Sequence, residues 1–263
     1  MSASGSLAGR HALVTGAGGG IGAAIAGGLA ACGARVSLAG RRRAPLEAVA
    51  ATLPADAALV VDGFDITEAA AIARGLERAR AAFGDVSILV NNAGEAPSAR
   101  FAKTDFALWT HVLAVDLTGV YQVSHAVLPD LKRHGLGARL VNVASTAGLT
   151  GYAYVAAYCA AKHGVIGLTR ALALELAHSG VTVNAVCPGF TQTPLIDKAV
   201  ATIVAKTGRS EDEARAELAK ANPQRRLVTP EEVADAVAWL ASPGAASING
   251  QAIVVAGGEV MAG

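Results

Sequence analysis

A tyrosine and a lysine lie four residues apart at Tyr158 and Lys162, in the stretch YCAAK. A spacing of four places two side chains on one face of a helix, and an ammonium group beside a phenol favours the phenolate form. Such a tyrosine is able to serve as acid and base near neutral pH. Because many Tyr-x-x-x-Lys pairs are surface coincidences, this pair indicates catalysis only together with other signals.

A glycine-rich stretch, LVTGAGGGIG at residues 13–22, fits the pattern T-G-x-x-x-G-I-G. A glycine turn between a strand and a helix lets the backbone approach a pyrophosphate, which the helix N-terminus then holds. The stretch does not fit G-x-G-x-x-G, because Ile21 takes the place of the third glycine. The predicted dinucleotide contacts here are Thr15, Gly16, Gly18, Gly20, Ile21 and Gly22.

Three arginines follow the second predicted strand, which ends in Ala39 and Gly40 without a carboxylate. An acidic residue at this place binds the ribose 2′-hydroxyl of NAD, whereas an arginine accommodates the 2′-phosphate of NADP. Arg41 and Arg42 therefore predict NADP(H) rather than NAD(H), and Arg43 is expected to face solvent. A plain basic turn is the alternative. A nucleic-acid site would need a wider basic surface with aromatic platforms.

The composition of the 263-residue chain limits the partners. The 22 basic and 21 acidic residues leave a net charge of +1, which gives no reason to expect binding to nucleic acid or to a membrane. No apolar run reaches the roughly 18 residues of a spanning helix. The three cysteines have no metal-ligand spacing, so we expect no metal and a reduced, cytoplasmic compartment.

The catalytic and glycine-rich stretches lie in a regular alternation of apolar runs and helix-like segments. This alternation predicts one α/β domain over residues 1–263, a doubly wound, Rossmann-type parallel sheet of about seven strands with helices on both faces. A long charged excursion at about 195–226 interrupts the rhythm and predicts a substrate lid, with a surface hairpin as the alternative. The predicted strands are 11–15, 34–39, 57–61, 86–90, 138–144, 181–186 and 252–256.

From about residue 7 to residue 258 the chain resembles the classical short-chain dehydrogenase/reductase family. The matching motifs occur in the order TGAGGGIG (15–22), DIT (65–67), NNAG (91–94), Ser145, YCAAK (158–162) and PGFTQT (188–193). Tyr152 and Tyr154 lack a lysine four residues on, so neither is expected to be the catalytic tyrosine. The resemblance implies an oxidoreductase of secondary alcohols and ketones, usually a homotetramer or homodimer.

The resemblance also implies roles for individual residues. Ser145 is expected to bind the substrate oxygen, Tyr158 to transfer its proton, and Lys162 to hold the nicotinamide ribose. Asn91 is expected to brace the sheet. The further cofactor contacts implied are Asp65 and Ile66 at the adenine, with Asn92, Ala93, Gly94, Pro188, Gly189, Thr191 and Thr193.

One catalytic position departs from the family pattern. Asp116 lies where the family usually has an asparagine, and an ionised aspartate only accepts hydrogen bonds. Two interpretations are open. In the first, Asp116 changes the proton relay, either by pairing directly with Lys162 or by accepting a hydrogen bond from water. In the second, the carboxylate replaces the asparagine amide with little effect.

The substrate class is predicted from positions that resemble two subgroups, the 3-oxoacyl thioester reductases (polyketide ketoreductases among them) and the 3-hydroxybutyrate dehydrogenases. Ala96, Ala147 and Val155 occupy the carboxylate-anchor positions of the second subgroup. A small free acid would lose its partners there. We therefore expect a thioester of coenzyme A or a carrier protein, or a cyclic or aryl ketone, at an apolar mouth. The alternatives are an NAD-dependent 3-hydroxybutyrate-type dehydrogenase and a dinucleotide-sensing scaffold, which would lack the serine, tyrosine or lysine.

The lid offers a second prediction about the substrate. Arg209, Arg225 and Arg226 are candidates to meet the phosphate of a coenzyme A or phosphopantetheine arm, with solvated lid charges as the favoured interpretation.

Overall fold

The computed structural model describes residues 5–261, apart from the side chain of Leu195. Seven strands form one parallel sheet in the order β3-β2-β1-β4-β5-β6-β7, as the apolar runs predict. The strands are β1 His11–Thr15, β2 Arg35–Ala39, β3 Ala58–Val61, β4 Ile88–Asn91, β5 Arg139–Val143, β6 Thr182–Pro188 and β7 Ala252–Val255.

Helices cover both faces of the sheet and provide its crossover connections. They are α1 Gly20–Ala31, α2 Arg43–Ala50, α3 Ala69–Phe83, α4 Phe106–Leu113, α5 Gly119–His134, α6 Ala156–Leu176, α7 Pro194–Thr207, α8 Glu211–Ala219 and α9 Pro230–Ala241. Within residues 5–261, no helix has both the length and the apolarity needed to cross a membrane.

The core divides into two layers because successive side chains of each strand point to opposite faces. On one face, Ala12 and Val14 of β1 join a cluster with α1, α2 and α9. On the other face, Leu13 joins a cluster with α3, α5 and α6. The central strands are buried on both sides, as predicted, whereas the edge strands β3 and β7 are mostly half-buried.

Local sequence signals explain how the excursion after β6 folds. Helix α8 begins with a capping box between Ser210 and Glu213, and α9 begins with a second box between Thr229 and Glu232. Helices α7 and α8 pack through a small cluster of their own that contains Ile196, Val200 and Ala214. The excursion at about 195–226, called the lid below, thus contains two helices with their own apolar contacts, and its role over the substrate stays a prediction.

Candidate active site

The carboxyl ends of the strands open into one large cavity, where doubly wound sheets bind their ligands. Its volume is about 1160 Å³, which exceeds the roughly 300–1000 Å³ typical of a site for one small molecule. The lining runs from the glycine turn and Arg41 on one side to Ser145, Tyr158 and helix α7 on the other. The volume is large enough for a dinucleotide and a second ligand.

The glycine turn has the shape that a pyrophosphate site requires. Gly16 and Gly20 adopt positive φ angles of 65° and 53°, and a Cβ atom on Gly22 would lie 2.3 Å from the Gly16 carbonyl oxygen. At Gly19, by contrast, a Cβ atom would meet no described atom within 4 Å. Helix α1 starts after Gly19 without a side-chain cap, which leaves its N–H groups available to an anion. These residues fit a dinucleotide.

Thr15 and the amide of Asn92 hold the glycine turn from behind. The Thr15 hydroxyl accepts hydrogen bonds from the N–H groups of Asn92 and Ala93, both at 3.0 Å, and the Asn92 amide donates to the carbonyls of Thr15 and Gly16. Gly16, Asn92 and Ala93 line the cavity, whereas Thr15 is buried and does not. Thr15 thus lies beneath the site rather than in it.

Asn91 braces the sheet, as the resemblance implies. Its buried amide donates to Ser124 Oγ on α5 and to Asn142 Oδ1 on β5, both at 2.9 Å.

The three arginines after β2 have different surroundings. Arg41 and Arg42 line the cavity next to Gly40. Arg43 is the first residue of α2 and forms an exposed ion pair with Glu47, with its Nε atom 2.6 Å from Oε1. The geometry thus separates two cavity arginines from one on the outer surface, which is the division that the sequence predicts.

Asp65 and Ile66 do not line the cavity with the other predicted cofactor contacts. The Asp65 carboxylate accepts hydrogen bonds from the N–H and hydroxyl of Thr67, and these lower its pKa. Ile66 is buried against the α-carbon of Gly119, where a Cβ atom would lie 2.7 Å away. In this structure both residues make internal contacts beside the cavity.

Ser145 lies just after β5 and lines the cavity. Its Oγ atom accepts a hydrogen bond of 3.1 Å from the N–H of Ala147 and so caps the short turn Thr146–Gly148. With one lone pair occupied in this way, the hydroxyl proton remains available to donate.

Tyr158 and Lys162 lie one turn apart in α6 and line the same cavity. The Lys162 Nζ atom is 5.5 Å from the centre of the Tyr158 ring and donates to the Val143 carbonyl at 3.1 Å. Lys162 is 3% exposed, so its ammonium group is held by fixed partners rather than by water. Serine, tyrosine and lysine thus come together as predicted.

Asp116 lies in a π-helical turn, Ala114–Thr118, that joins α4 to α5. Its Oδ1 atom accepts the Glu95 N–H at 3.2 Å and lies 3.6 Å from Lys162 Nζ. That distance makes the contact an ion pair rather than a hydrogen bond. The Oδ2 atom is buried and has no partner among the described residues. Asp116 thus pairs directly with Lys162, which is the arrangement that the first interpretation, a changed proton relay, names.

The environment of Asp116 opposes its ionisation. The carboxyl is fully buried, and burial raises its pKa to about 6, although the Lys162 ammonium and the Glu95 N–H favour the charged form. The charge of Glu95 adds to the rise, and Glu95 is itself paired with His111. The aspartate is therefore a titrating group next to the candidate catalytic lysine.

The segment after β6 closes the cavity over the glycine turn. The Thr191 hydroxyl donates to the Gly189 carbonyl at 2.9 Å, and the Thr193 hydroxyl donates to the Thr191 carbonyl at 3.2 Å. A Cβ atom on Gly20 would lie 3.2 Å from Thr193 Cγ2. Pro188, Gly189, Thr191 and Thr193 all line the cavity, which suits the predicted contact with the nicotinamide end.

Ala96, Ala147 and Val155, the three positions without a carboxylate anchor, all line the cavity. Tyr152 and Tyr154 line it as well. The missing lysine four residues on excludes both tyrosines as catalytic residues, but no sequence pattern predicts that they form part of the cavity wall. A positive φ angle of 71° at Tyr154 is the only unusual backbone feature of this loop.

A C-terminal clasp, which we define as Gly257–Glu259 with Asn222 and Tyr152, joins the lid to the substrate side of the cavity. The Tyr152 hydroxyl donates to the Glu259 carboxylate and lies 2.8 Å from the Thr146 hydroxyl. Burial and this carboxylate raise the Tyr152 pKa, so its phenol stays protonated. A Cβ atom on Gly257 would lie 2.1 Å from Asn222 Oδ1. No sequence pattern predicts the clasp, because its parts lie far apart along the chain.

The lid arginines Arg209, Arg225 and Arg226 do not line the cavity, so their surroundings agree with the favoured interpretation, solvated lid charges, rather than with a phosphate contact. Arg209 pairs with Glu217 and Arg226 pairs with Glu232, while Arg225 donates to the Lys220 carbonyl. Lys198 and Lys206 of α7 line the cavity instead. The predicted apolar mouth therefore carries two ammonium groups, which the lid sequence does not distinguish from its other basic residues.

Comparison with known proteins assigns the family. A model described as short chain dehydrogenase matches residues 10–204. The chain belongs to the short-chain dehydrogenase family. This family membership agrees with the parallel sheet and with the grouping of serine, tyrosine and lysine in one cavity.

Individual members of the short-chain dehydrogenase family resemble the chain over nearly its whole length. The D-beta-hydroxybutyrate dehydrogenase of Cupriavidus necator is 38% identical, with 97% of this chain and 99% of the relative covered. The 3-oxoacyl-[acyl-carrier-protein] reductase of Escherichia coli is also 38% identical, with 96% and 98% covered. The crystal structure of a variant actinorhodin polyketide ketoreductase with NADPH matches with a TM-score of 0.88 and 37% identity, covering 98% of each chain.

Proposed function

We propose that the chain interconverts a ketone and a secondary alcohol with NADP(H) as its cofactor. The observation that carries this proposal is the convergence of Ser145, Tyr158 and Lys162 on a cavity that also contains an uncapped glycine turn. When bound, the nicotinamide exchanges a hydride with the carbinol carbon. The protein binds both partners and moves the proton.

The proposed proton transfer follows from the hydrogen bonds of the site. The Ser145 hydroxyl, whose oxygen accepts the Ala147 N–H, donates a hydrogen bond to the substrate oxygen and orients it. The Tyr158 phenol gives a proton to that oxygen in reduction and takes it back in oxidation. The Lys162 ammonium, held by the Val143 carbonyl and Asp116, stabilises the phenolate electrostatically.

Asp116 acts in this proposal as a positioning residue for Lys162. Its carboxylate provides the counter-ion of a buried ammonium group, and its Oδ1 atom is fixed by the Glu95 N–H. The family's usual asparagine is uncharged and provides no counter-ion. The aspartate therefore makes the charge balance at Lys162 depend on pH.

The proposed preference for NADP(H) rests on Arg41 and Arg42. They line the cavity beside Gly40, and no carboxylate at the end of β2 repels a 2′-phosphate. A guanidinium group binds a phosphate through paired N–H donors. The related polyketide ketoreductase, whose structure contains NADPH, agrees with this assignment.

The proposed substrate is a 3-oxoacyl or 3-hydroxyacyl thioester, or a cyclic or aryl ketone. The lining at Ala96, Ala147 and Val155 offers a small free acid no partner for its carboxylate. The similarity to a hydroxybutyrate dehydrogenase makes free hydroxybutyrate the second candidate. Initial rates with NADH and NADPH across thioesters, cyclic ketones and free hydroxy acids distinguish the two.

The exchange Tyr158→Phe tests the chemical assignment. It removes the proton donor and leaves the ring, so we expect a loss of turnover of at least about 100-fold with NADPH affinity unchanged. Steady-state rates and fluorescence titration with NADPH measure the two effects. Tyr154→Phe provides the matched control in the same cavity wall, and a Tyr158→Phe enzyme that retained wild-type turnover would refute the mechanism.

We further propose a cytoplasmic homotetramer or homodimer. Free thiols at Cys32, Cys159 and Cys187 suit a reducing compartment. Phe106 and Tyr121, on the helices that flank the Asp116 turn, and Leu174 on α6 expose large apolar side chains that suit contacts between copies. Light scattering in solution measures the number of chains, and a stable monomer would contradict the proposal.

A further inference from the structure

Three basic residues lie together at the amino ends of the strands, at the opposite end of the sheet from the cavity. Arg10 precedes β1, Arg139 is the first residue of β5, and His134 is the last residue of α5. None of the three lines the cavity. Strand β5 runs from Arg139 toward Ser145, so the length of the sheet separates these residues from the candidate active site. We define Arg10, His134 and Arg139 as the basal cluster.

Hydrogen bonds hold the half-buried Arg10 guanidinium between the starts of β4 and β5. Its Nε atom donates to Ser87 Oγ at 2.9 Å, and its Nη2 atom donates to the carbonyls of Ser87 and Gly137 at 3.1 and 2.6 Å. The Ser87 carbonyl also accepts the Arg139 N–H at 3.0 Å, which places the guanidinium beside the first residue of β5. The hydrogen bonds of Arg10 within residues 5–261 leave its Nη1 atom without an acceptor.

Gly137 leaves open a space that Arg10 Nη1 and the His134 ring share. A Cβ atom on Gly137 would lie 3.5 Å from Arg10 Nη1 and 4.0 Å from His134 Nε2. The φ angle of 95° at this position also favours glycine. The His134 ring is exposed to solvent. Two nitrogen atoms that are able to donate hydrogen bonds thus flank one open point at the surface.

The carboxylates near this end of the sheet are engaged elsewhere. Asp85 and Asp130 both form ion pairs with Arg133. Among the ion pairs of the described residues 5–261, none includes Arg10 or Arg139. The two guanidinium groups are therefore hydrogen-bonded to carbonyls but are not neutralised by an acid in this part of the chain.

Arg139 lies deeper than Arg10 and adds positive charge from behind. It is 3% exposed and donates to the carbonyls of Ala138 and Ser242. Its buried Nε atom has no acceptor among the described residues. Because a buried charge without a counter-ion is costly, a nearby anion would lower the free energy of this region.

The charges of the basal cluster also act on one another. Burial and the charge of Arg139 lower the pKa of Arg10 to about 10. Burial and the charges of both arginines lower the pKa of His134, against the opposing effect of Asp85. An anion placed between these groups would counteract the electrostatic part of both shifts.

We propose that the basal cluster binds a small tetrahedral oxyanion, of which inorganic phosphate is the type, in front of Gly137 and between Arg10 Nη1 and His134 Nε2. The site is separate from the phosphates assigned to the dinucleotide, which lie at the carboxyl ends of the strands. The bound anion neutralises the guanidinium that joins the segment before β1 to the starts of β4 and β5. It thereby stabilises the amino end of the sheet.

Titration with inorganic phosphate tests the site in the NADPH-saturated enzyme, in which the dinucleotide site is filled. NMR follows the ring C–H signals of His134, assigned by their loss in His134→Gln, at constant ionic strength with chloride as the reference anion. We expect a saturable shift of these signals and a higher His134 pKa in saturating phosphate than in chloride. A shift that does not saturate, or an equal pKa in the two anions, would overturn the inference.

Arg10→Gln measures the contribution of the guanidinium. The loss of a charge-assisted hydrogen bond should raise the dissociation constant for phosphate, read from the His134 signals, at least about tenfold. Lys132→Gln is the matched control, because it removes one positive charge from the same turn of α5 but lies two positions from His134 and faces another side of the helix. It should change the dissociation constant less than about twofold. Equal losses in the two variants would indicate a diffuse field rather than a site and would refute the proposal.

A second variant keeps the test decisive if Arg10→Gln fails to fold, because Arg10 also holds strand ends. His134→Gln replaces an exposed side chain, so the fold should persist. Calorimetry with the NADPH-saturated variant should show phosphate binding at least about threefold weaker than in the wild type. An unchanged affinity would exclude His134 from the site and contradict the proposed position of the anion.

Discussion

Arg41, Arg42 and Arg43 are chemically identical neighbours with different surroundings. Two of them line the cavity, and the third pairs with Glu47 on the outer surface of α2. The difference arises because α2 begins at Arg43, so its side chain follows the helix rather than the end of β2. A run of like residues thus contains two residues that line the cavity and one residue on the outer surface.

This division predicts how the cofactor preference responds to mutation. The double exchange Arg41→Ala with Arg42→Ala should raise the KM for NADPH at least about tenfold, because charge-assisted contacts to the 2′-phosphate are lost. The KM for NADH should change less than about threefold. Initial-rate measurements with both cofactors check this. Arg43→Ala is the matched control, and equal losses for NADPH and NADH in the double variant would make the arginines a plain basic turn.

The sequence predicted the candidate catalytic residues better than it predicted the residues that form the cavity wall. Tyr158, Lys162 and the glycine turn have local spacings that a single sequence reveals. Tyr152 has no such spacing, and its role depends on Glu259, which is 107 positions away. Lys198 and Lys206 line the cavity, whereas Lys220 of the same hairpin pairs with Glu217 outside it. Such contacts follow from tertiary packing, which the linear pattern does not encode.

Among the elements, the π-helical turn Ala114–Thr118 and the C-terminal clasp each contribute one side chain to the cavity, Asp116 and Tyr152 respectively. The π turn interrupts the ladder between α4 and α5 and carries Asp116 at its centre. Turns of this kind are frequent at functional sites. Gly94 permits the close approach, since a Cβ atom there would lie 2.6 Å from Asp116 Oδ1.

The clasp predicts an effect on substrate binding rather than on chemistry. Glu259→Ala removes the carboxylate that accepts the Tyr152 hydroxyl, so the Tyr152 side chain, which forms the cavity wall next to Thr146, is held less firmly. We expect the KM for substrate to rise about three- to tenfold, with kcat and the KM for NADPH nearly unchanged. Steady-state kinetics measure the three constants.

Glu259→Gln provides the conservative control for the clasp, because its amide oxygen still accepts the phenol proton, although more weakly. It should recover most of the substrate affinity. A fall in kcat equal to the rise in KM, or a glutamine variant as impaired as the alanine variant, would contradict a positioning role for this contact.

For the whole molecule, the alternation of apolar runs predicted all seven strands to within two residues at each end. It succeeded because β1, β4, β5 and β6 are buried on both faces, so most of their positions are apolar. The insertion at about 195–226 was predicted from the sequence. The bounds of its two helices and the orientation of its charged side chains depend on contacts between α7 and α8.

Global stability should depend on pH through Asp116. Its folded-state pKa of about 6 lies above the ordinary value of 3.8, so the unfolded chain loses this proton first. The free energy of unfolding therefore falls as pH rises from about 4 to about 6, by at most about 3 kcal/mol for this group. Above that range the loss is complete.

The exchange Asp116→Asn isolates this contribution. The difference in unfolding free energy, wild type minus variant, should decrease between pH 4 and pH 6 and stay level above pH 7. Urea denaturation at several pH values measures it, with the variant serving as the reference for all other titrating groups. A difference that did not vary with pH would mean that the buried carboxyl does not titrate in this range.

The position of the clasp along the chain has a consequence for biosynthesis. Every residue of the glycine turn and of the segment that closes over it has been added to the growing chain once Thr193 is made. Glu259 follows 66 residues later, after β7. The substrate wall is thus completed only after the residues assigned to the dinucleotide have been synthesised.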